Sequence, residues 1–330
     1  MTALLCPARL TVDRPDALVA LCSAMLVSED DVLLDARALR FADPFGMAIL
    51  GATFYQLQKS GRSARVSGLV EAVSGYLQRM DVFPGVELVD CAPVRGIRRD
   101  RRDALVELTR INQRGDVNTA AFRLANALVG SIPGIDLDES RDEMTCVNTA
   151  DRLIEPLNYA LAELLDNAVI HGRRHNRQDA RVWVASQFYP SRAMIQFAVV
   201  DNGCGLLETL RNHPPLRDAK RKTHLAAILG ALQPWVSCNR ETGLRHDSAN
   251  EGIGLTTTSR IAAKAGGRLV VASGNAVHDP TLGSRELAAG TYWQGVALAL
   301  ECSRNQLLGV HVSDCLPQTI AQPAIHLRFE

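Results

Sequence analysis

Val199-Val200-Asp201-Asn202-Gly203-Cys204-Gly205-Leu206 is the stretch on which the reading of this chain turns. It follows an apolar run from Met194 to Val200 that reads as a buried strand. A strand ending in Asp and then alternating glycines sets a carboxylate at the strand tip. The glycines let the backbone take positive φ and approach a ligand closely. Asp201 can only accept hydrogen bonds when ionised, which suits it to the exocyclic amine of adenine. A tight loop with a structural Asp would carry the same residues.

Upstream lies Leu161-Ala162-Glu163-Leu164-Leu165-Asp166-Asn167-Ala168. Ile154, Leu157, Leu161, Leu164 and Leu165 form an apolar stripe at helical spacing, with Thr149 or Asp151 as the cap. Pro156 offers a later start. Glu163 and Asn167 are four apart and share a face, which His171 extends by one turn. The amide oxygen of Asn167 can ligate magnesium held by phosphates. Glu163 can orient or deprotonate a nucleophile. On its own, such a pair also fits a solvated helix face.

Downstream, Asn250-Glu251-Gly252-Ile253-Gly254-Leu255-Thr256 opens a helix through Thr257, Ile261 and Ala262. Glycines at a helix start expose N–H groups that bind phosphate. Gly290-Thr291-Tyr292-Trp293 leads into a last strand, where Thr291 could bond adenine directly or through water.

In this order the four segments resemble the asparagine box, the two glycine boxes and the final strand of the Bergerat (GHKL) ATPases. That superfamily includes the gyrase ATPase subunit, heat-shock chaperones, histidine kinases and mismatch-repair ATPases. The resemblance spans about Asp151 to Leu300. It implies an ATP site with Mg²⁺ on Asn167 and adenine on Asp201, with Gly203 and Gly205 shaping the adenine end. It implies that Gly252, Ile253, Gly254 and Leu255 cradle phosphate, that Thr291 joins the adenine end, and that Glu163 is the base. The segment between Leu206 and Asn250 corresponds to the family's mobile lid, whose Lys220, Lys222, Arg240 and Arg245 could meet the terminal phosphate.

The expected fold class is α/β throughout. Strands are predicted at Arg181–Ala185, Met194–Val200, Arg268–Ala272 and Tyr292–Leu300. With the resemblance they give a Bergerat α/β sandwich over residues 149–330, an antiparallel mixed sheet with helices on one face. Before it, Asp31–Ala36 and Arg65–Leu69 read as strands, and Pro44–Lys59 and Val70–Met80 as helices. That alternation implies a parallel sheet over residues 1–92. Residues 93–148 read as a charged helical connector, with helices over Asp103–Ile111 and Asn118–Val129.

The N-terminal pattern also resembles a STAS domain, through Val32-Leu33-Leu34-Asp35, then Phe41-Ala42-Asp43-Pro44-Phe45-Gly46 and a helix. In that family the loop before the helix often reads Asp-Ser-Ser-Gly and is phosphorylated. Asp43-Pro44-Phe45-Gly46 has no hydroxyl, so an interaction module is expected and not a phospho-acceptor. Phe45 is either a core residue or an exposed contact.

Lysines plus arginines and aspartates plus glutamates both number 36, so no global field draws nucleic acid or an anionic membrane. Eight scattered cysteines without knuckle or redox spacing fit a reducing cytoplasm. The N-terminus is a poor signal peptide, and no run reaches membrane-span length. No His precedes His171, so the connector offers no phospho-accepting histidine. The short stretch after Leu300 leaves a gyrase-type transducer unfilled. Glu163 to Gly172, ending in His-Gly, is similar to the compact kinases that phosphorylate STAS partners. The expectation is a bacterial regulatory switch, an ATP hydrolase or a serine/threonine-type protein kinase. Its partner would be a regulatory protein, STAS-related, or a second copy of the chain. A non-catalytic ATP-gated module is the alternative.

Overall fold

A computed structural model of the chain describes residues 1–93, 98, 100–212, 216, 222–234, 236 and 254–316. The N-terminal half runs β1 (Thr2–Leu5), β2 (Arg9–Leu10), α1 (Pro15–Val27), β3 (Val32–Asp35), β4 (Phe41–Ala42), α2 (Pro44–Lys59), β5 (Ala64–Ser67), α3 (Glu71–Arg79) and β6 (Glu87–Val89). β1, β3, β5 and β6 pair in that order as a parallel sheet, as the strand–helix alternation requires.

Local chemistry starts α2 firmly. Asp43 caps it, its Oδ1 accepting from the Gly46 N–H at 2.8 Å, with Pro44 in the first turn. Every residue from Pro44 to Phe54 is buried, Phe45 completely, so Phe45 belongs to the core. A helix that is apolar all round needs cover on every side. α2 finds it between the parallel sheet and a second, larger sheet.

The larger sheet has seven strands: β7 (Leu105–Ile111), β8 (Val182–Tyr189), β9 (Met194–Asp201), β10 (Arg268–Gly274), β11 (Ala276–Asp279), β12 (Gly283–Glu286) and β13 (Trp293–Ser303). Their spatial order is β12-β11-β10-β13-β9-β8-β7, and every pairing is antiparallel. The helices are α4 (Val117–Gly130), α5 (Thr149–Gly172), α6 (Gly205–Thr209), α7 (His224–Ala231), α8 (Gly254–Lys264) and α9 (Arg304–Leu307).

Asp103–Ile111 is therefore not a helix. The run has buried neighbours on both faces: Val106 and Ile111 pack toward α4, while Leu105 and Leu108 pack toward α2. Apolar residues on both faces of a short strand imitate helical spacing. The stretch read as a helical connector thus supplies an edge strand of the large sheet, followed by α4. The cap of α5 is also neither Thr149 nor Asp151. Asn148 Oδ1 accepts from the Asp151 N–H at 2.7 Å, and Asp151 answers the Asn148 N–H, a capping box.

Helices do not lie on one face of the large sheet alone. Ile195, Phe197, Val199, Leu298 and Leu300 point to the α4–α5–α8 side, whereas Ala198, Val200, Ala297 and Ala299 point to α2. The alternation is the period-two geometry of strands buried on both faces. Polar ties cross the same seam. Gln196 Nε2 donates to Asp43 Oδ2 at 3.1 Å, Arg268 bonds Asp13, and Arg285 bonds Asp16. No helix among the described residues is long and apolar enough to cross a membrane.

Candidate functional site

The tip of β9, the last turns of α5 and the start of α8 enclose an open cavity of about 120 Å³. Asn167, Asp201, Gly205, Gly254 and Leu255 all line it. Its walls are otherwise mostly apolar, with Val199, Val296 and Leu298 from the sheet and Leu206 and Leu210 from the α6 side.

Asp201 is 4 % exposed, and its Oδ1 accepts from the Gly203 N–H at 2.8 Å. Burial pushes its carboxyl up to about 7, against the pull of the Gly203 and Val296 backbone N–H groups. A carboxylate has about four lone-pair sites, so acceptor capacity remains for a ligand donor. His171 also lines the cavity. Burial and Arg174 bring its imidazole down to about 4, so it is neutral near pH 7.

The glycine loop is held from three sides. Gly172 receives it from α5, and Cys204 N–H donates to the Gly172 carbonyl at 3.2 Å. β13 grips it with Gln294 Nε2 donating to the Gly203 carbonyl at 2.7 Å and Trp293 Nε1 to the Asp201 carbonyl at 3.2 Å. From β10, Ser273 Oγ donates to the Gly295 carbonyl at 2.7 Å and accepts from the Leu206 N–H at 3.1 Å. Gly205 has φ +79°, a conformation glycine takes freely. Gly295 has φ +113°, and a β-carbon there would meet the Asp201 carbonyl oxygen at 2.2 Å.

Gly203 itself does not line the cavity. It is the packing point against α5. Thr291 is also off the wall, with its N–H donating to the Ala288 carbonyl, and Val296 supplies the β13 surface instead. Gly254, the first residue of α8, sits over the Glu163–Asn167 turn of α5. A β-carbon on it would lie 3.1 Å from Asn167 Nδ2. Asn167 and Gly172 are therefore about 7.5 Å apart along one helix, Asn167 toward the α8 end and Gly172 toward Asp201.

Glu163 is half-buried and is not on the cavity wall. Burial, then Asp166, raises its carboxyl, and Arg114 opposes the rise. Arg114 is itself paired with Asp166 at 2.6 Å. Gly252 and Ile253, with Lys220, Arg240 and Arg245, lie outside the described residues, and Lys222 is exposed.

Gly295, Ser273 and Gln294 were not foreseen as loop supports. Gly295 alone gave a signal, since a glycine inside a strand marks a bulge or a close backbone approach. Comparison of the chain with protein-family models, curated proteins and solved structures finds no significant match.

Proposed function

We propose that the cavity is an ATP site of the Bergerat type, and that the chain is a GHKL-superfamily ATPase or protein kinase serving as a regulatory switch. One observation carries the reading. A buried acceptor, Asp201, and a helix-borne carboxamide, Asn167, converge on a single apolar cavity beside the start of α8. The STAS resemblance of the N-terminal half adds the regulatory setting and a protein partner.

The residues fit the nucleotide. Asp201 offers acceptor capacity to the adenine amine, while the apolar walls exclude water from the purine. Asn167 would hold Mg²⁺ through its amide oxygen, a hard ligand. When bound, the ion offsets phosphate charge and polarises the terminal phosphoryl group. The N-terminal turn of α8 presents backbone N–H groups on the Asn167 side, where anionic phosphate is favoured. Glu163, raised by burial, would take the proton from the attacking water or protein hydroxyl.

The position of Glu163 off the cavity wall favours a second reading, an ATP-gated interaction module without turnover. Incubating the full chain with γ-labelled ATP and Mg²⁺ separates them. Free phosphate supports hydrolysis, labelled protein supports a kinase, and binding without either supports the module. Absence of nucleotide binding by calorimetry would remove the proposal as a whole.

A further inference from the structure

A second cavity, of about 200 Å³, opens at the seam between the two halves. It lies on the α2 side of the large sheet. β9 and β13 reach it through Gln196 and Glu301, and the N-terminal half through Thr11, Phe41 and Asp43.

Two hydroxyls on its lining have no hydrogen-bond partner among the described residues: Thr11 Oγ1, on a residue 2 % exposed, and Tyr189 Oη. A buried hydroxyl left unpaired carries its full desolvation penalty. Asp43 bonds neither of them. Its Oδ1 is taken by the Gly46 N–H at 2.8 Å, and its Oδ2 by the Val12 N–H at 2.8 Å and Gln196 Nε2 at 3.1 Å.

The charges around the cavity are unevenly paired. Arg9 and Arg192 line it and form no ion pair with any described residue; the Arg9 guanidinium instead stands 5.1 Å over the Phe41 ring. Phe41 and Tyr189 make an aromatic wall, their ring centroids 6.0 Å apart. Elsewhere on the lining, Arg268 serves three carboxylates, of which Glu301 and Asp13 also line the cavity. Arg268 bonds Glu301 at 2.6 Å, Asp279 at 3.0 Å, and Asp13. The two exposed arginines are thus without a carboxylate partner among the described residues, Glu301 and Asp13 share one guanidinium, and the lining as a whole is close to neutral.

We propose that this seam cavity binds a small zwitterion of the free amino-acid class. The ligand carboxylate is met by Arg9 and Arg192, with the Thr11 and Tyr189 hydroxyls donating to it, and its ammonium group is met by Glu301 and Asp13. The proposal does not depend on the nucleotide reading. The two cavities nevertheless share their central strands. β9 presents Gln196 to one and Asp201 to the other, and β13 presents Glu301 and Leu298 likewise.

The test is calorimetry and thermal melting of the full chain with each of the standard amino acids at fixed ionic strength. Controls are the same compounds lacking the amine or lacking the carboxylate. The expected result is saturable binding and a raised Tm for at least one amino acid, with neither control binding. Arg192→Gln, at an exposed position, and Tyr189→Phe, which removes only the hydroxyl, should each weaken binding about tenfold or more. Asp201→Asn, in the first cavity, should leave it unchanged. The proposal is overturned if no amino acid binds saturably or if a control lacking one charge binds as well as the parent. Affinity untouched by Arg192→Gln, or lost only in Asp201→Asn, overturns it equally.

Discussion

Gly203 lies against Gly172 so closely that a β-carbon on Gly203 would come within 2.2 Å of the Gly172 Cα and 2.4 Å of its carbonyl oxygen. Both obstacles are backbone, so neither can rotate away. The contact fixes the glycine loop on the last turn of α5 and thereby fixes Asp201, whose carboxylate accepts from the Gly203 N–H. Gly203→Ala must push the loop off the helix. The expected outcome is a loss of about 1–3 kcal/mol in stability, as for other overpacked sites, and weakened ATP binding. Thermal melting and calorimetry on the purified variant check both, and a variant equal to wild type in each would show that the loop is free to shift.

Asp201→Asn separates recognition from stability. The folded carboxyl, at about 7, stands above its ordinary 3.8 because of burial. A raised folded value means that the group's contribution is fully present below about 4 and is lost as pH rises through about 7. Asn does not titrate. The ligand-free variant should therefore melt above wild type at pH 8, with the difference closing toward pH 4. ATP affinity should fall by about tenfold or more, since one acceptor becomes a donor. Parallel melting curves at every pH would contradict the buried, destabilising carboxylate.

Glu163→Gln should lower any ATP turnover about a hundredfold and leave ATP affinity close to wild type. The side chain is off the cavity wall, so it contributes little to ground-state binding. Steady-state phosphate release and calorimetry on the same preparation give the two numbers. Full turnover in the variant would exclude Glu163 as the base.

Removing the first 102 residues should not yield a well-behaved ATP domain. The cut takes away α2 and uncovers Trp183, Ala198, Val200, Ala297 and Ala299, all packed in the core shared with the N-terminal half. A contiguous apolar sheet face of this kind drives association. Size-exclusion chromatography of residues 103–330 should show aggregation or a strongly lowered Tm. A monodisperse fragment with full-length stability would mean that the two halves are independent.

Much of the chain was legible from local chemistry. Asp43 and Pro44 start α2 without help from the rest of the fold, and the apolar runs of β3, β9 and β10 admit few other readings. The cavity residues were legible because their types are unusual in their settings: a carboxylate at the end of a buried strand, glycines after it, a carboxamide on an otherwise apolar helix turn. Asp103–Ile111 was not legible. Val106 and Leu108 face opposite cores, so the pattern loses its period of two and takes on the spacing of a helix.

The sequence by itself determined the segments, their order and the residue types available for chemistry, because caps, turns and periodicity act within a few residues. Only the tertiary structure decided which of those residues meet. It brings Asn167, Asp201 and Gly254 to one cavity, leaves Thr291 and Glu163 off its wall, and assigns Gly203 to packing. It also decided that α2, apolar on every side, joins two sheets and does not serve as an open docking face. The reason is physical. Which apolar surface covers which depends on the whole chain's burial at once, and no local window contains that competition.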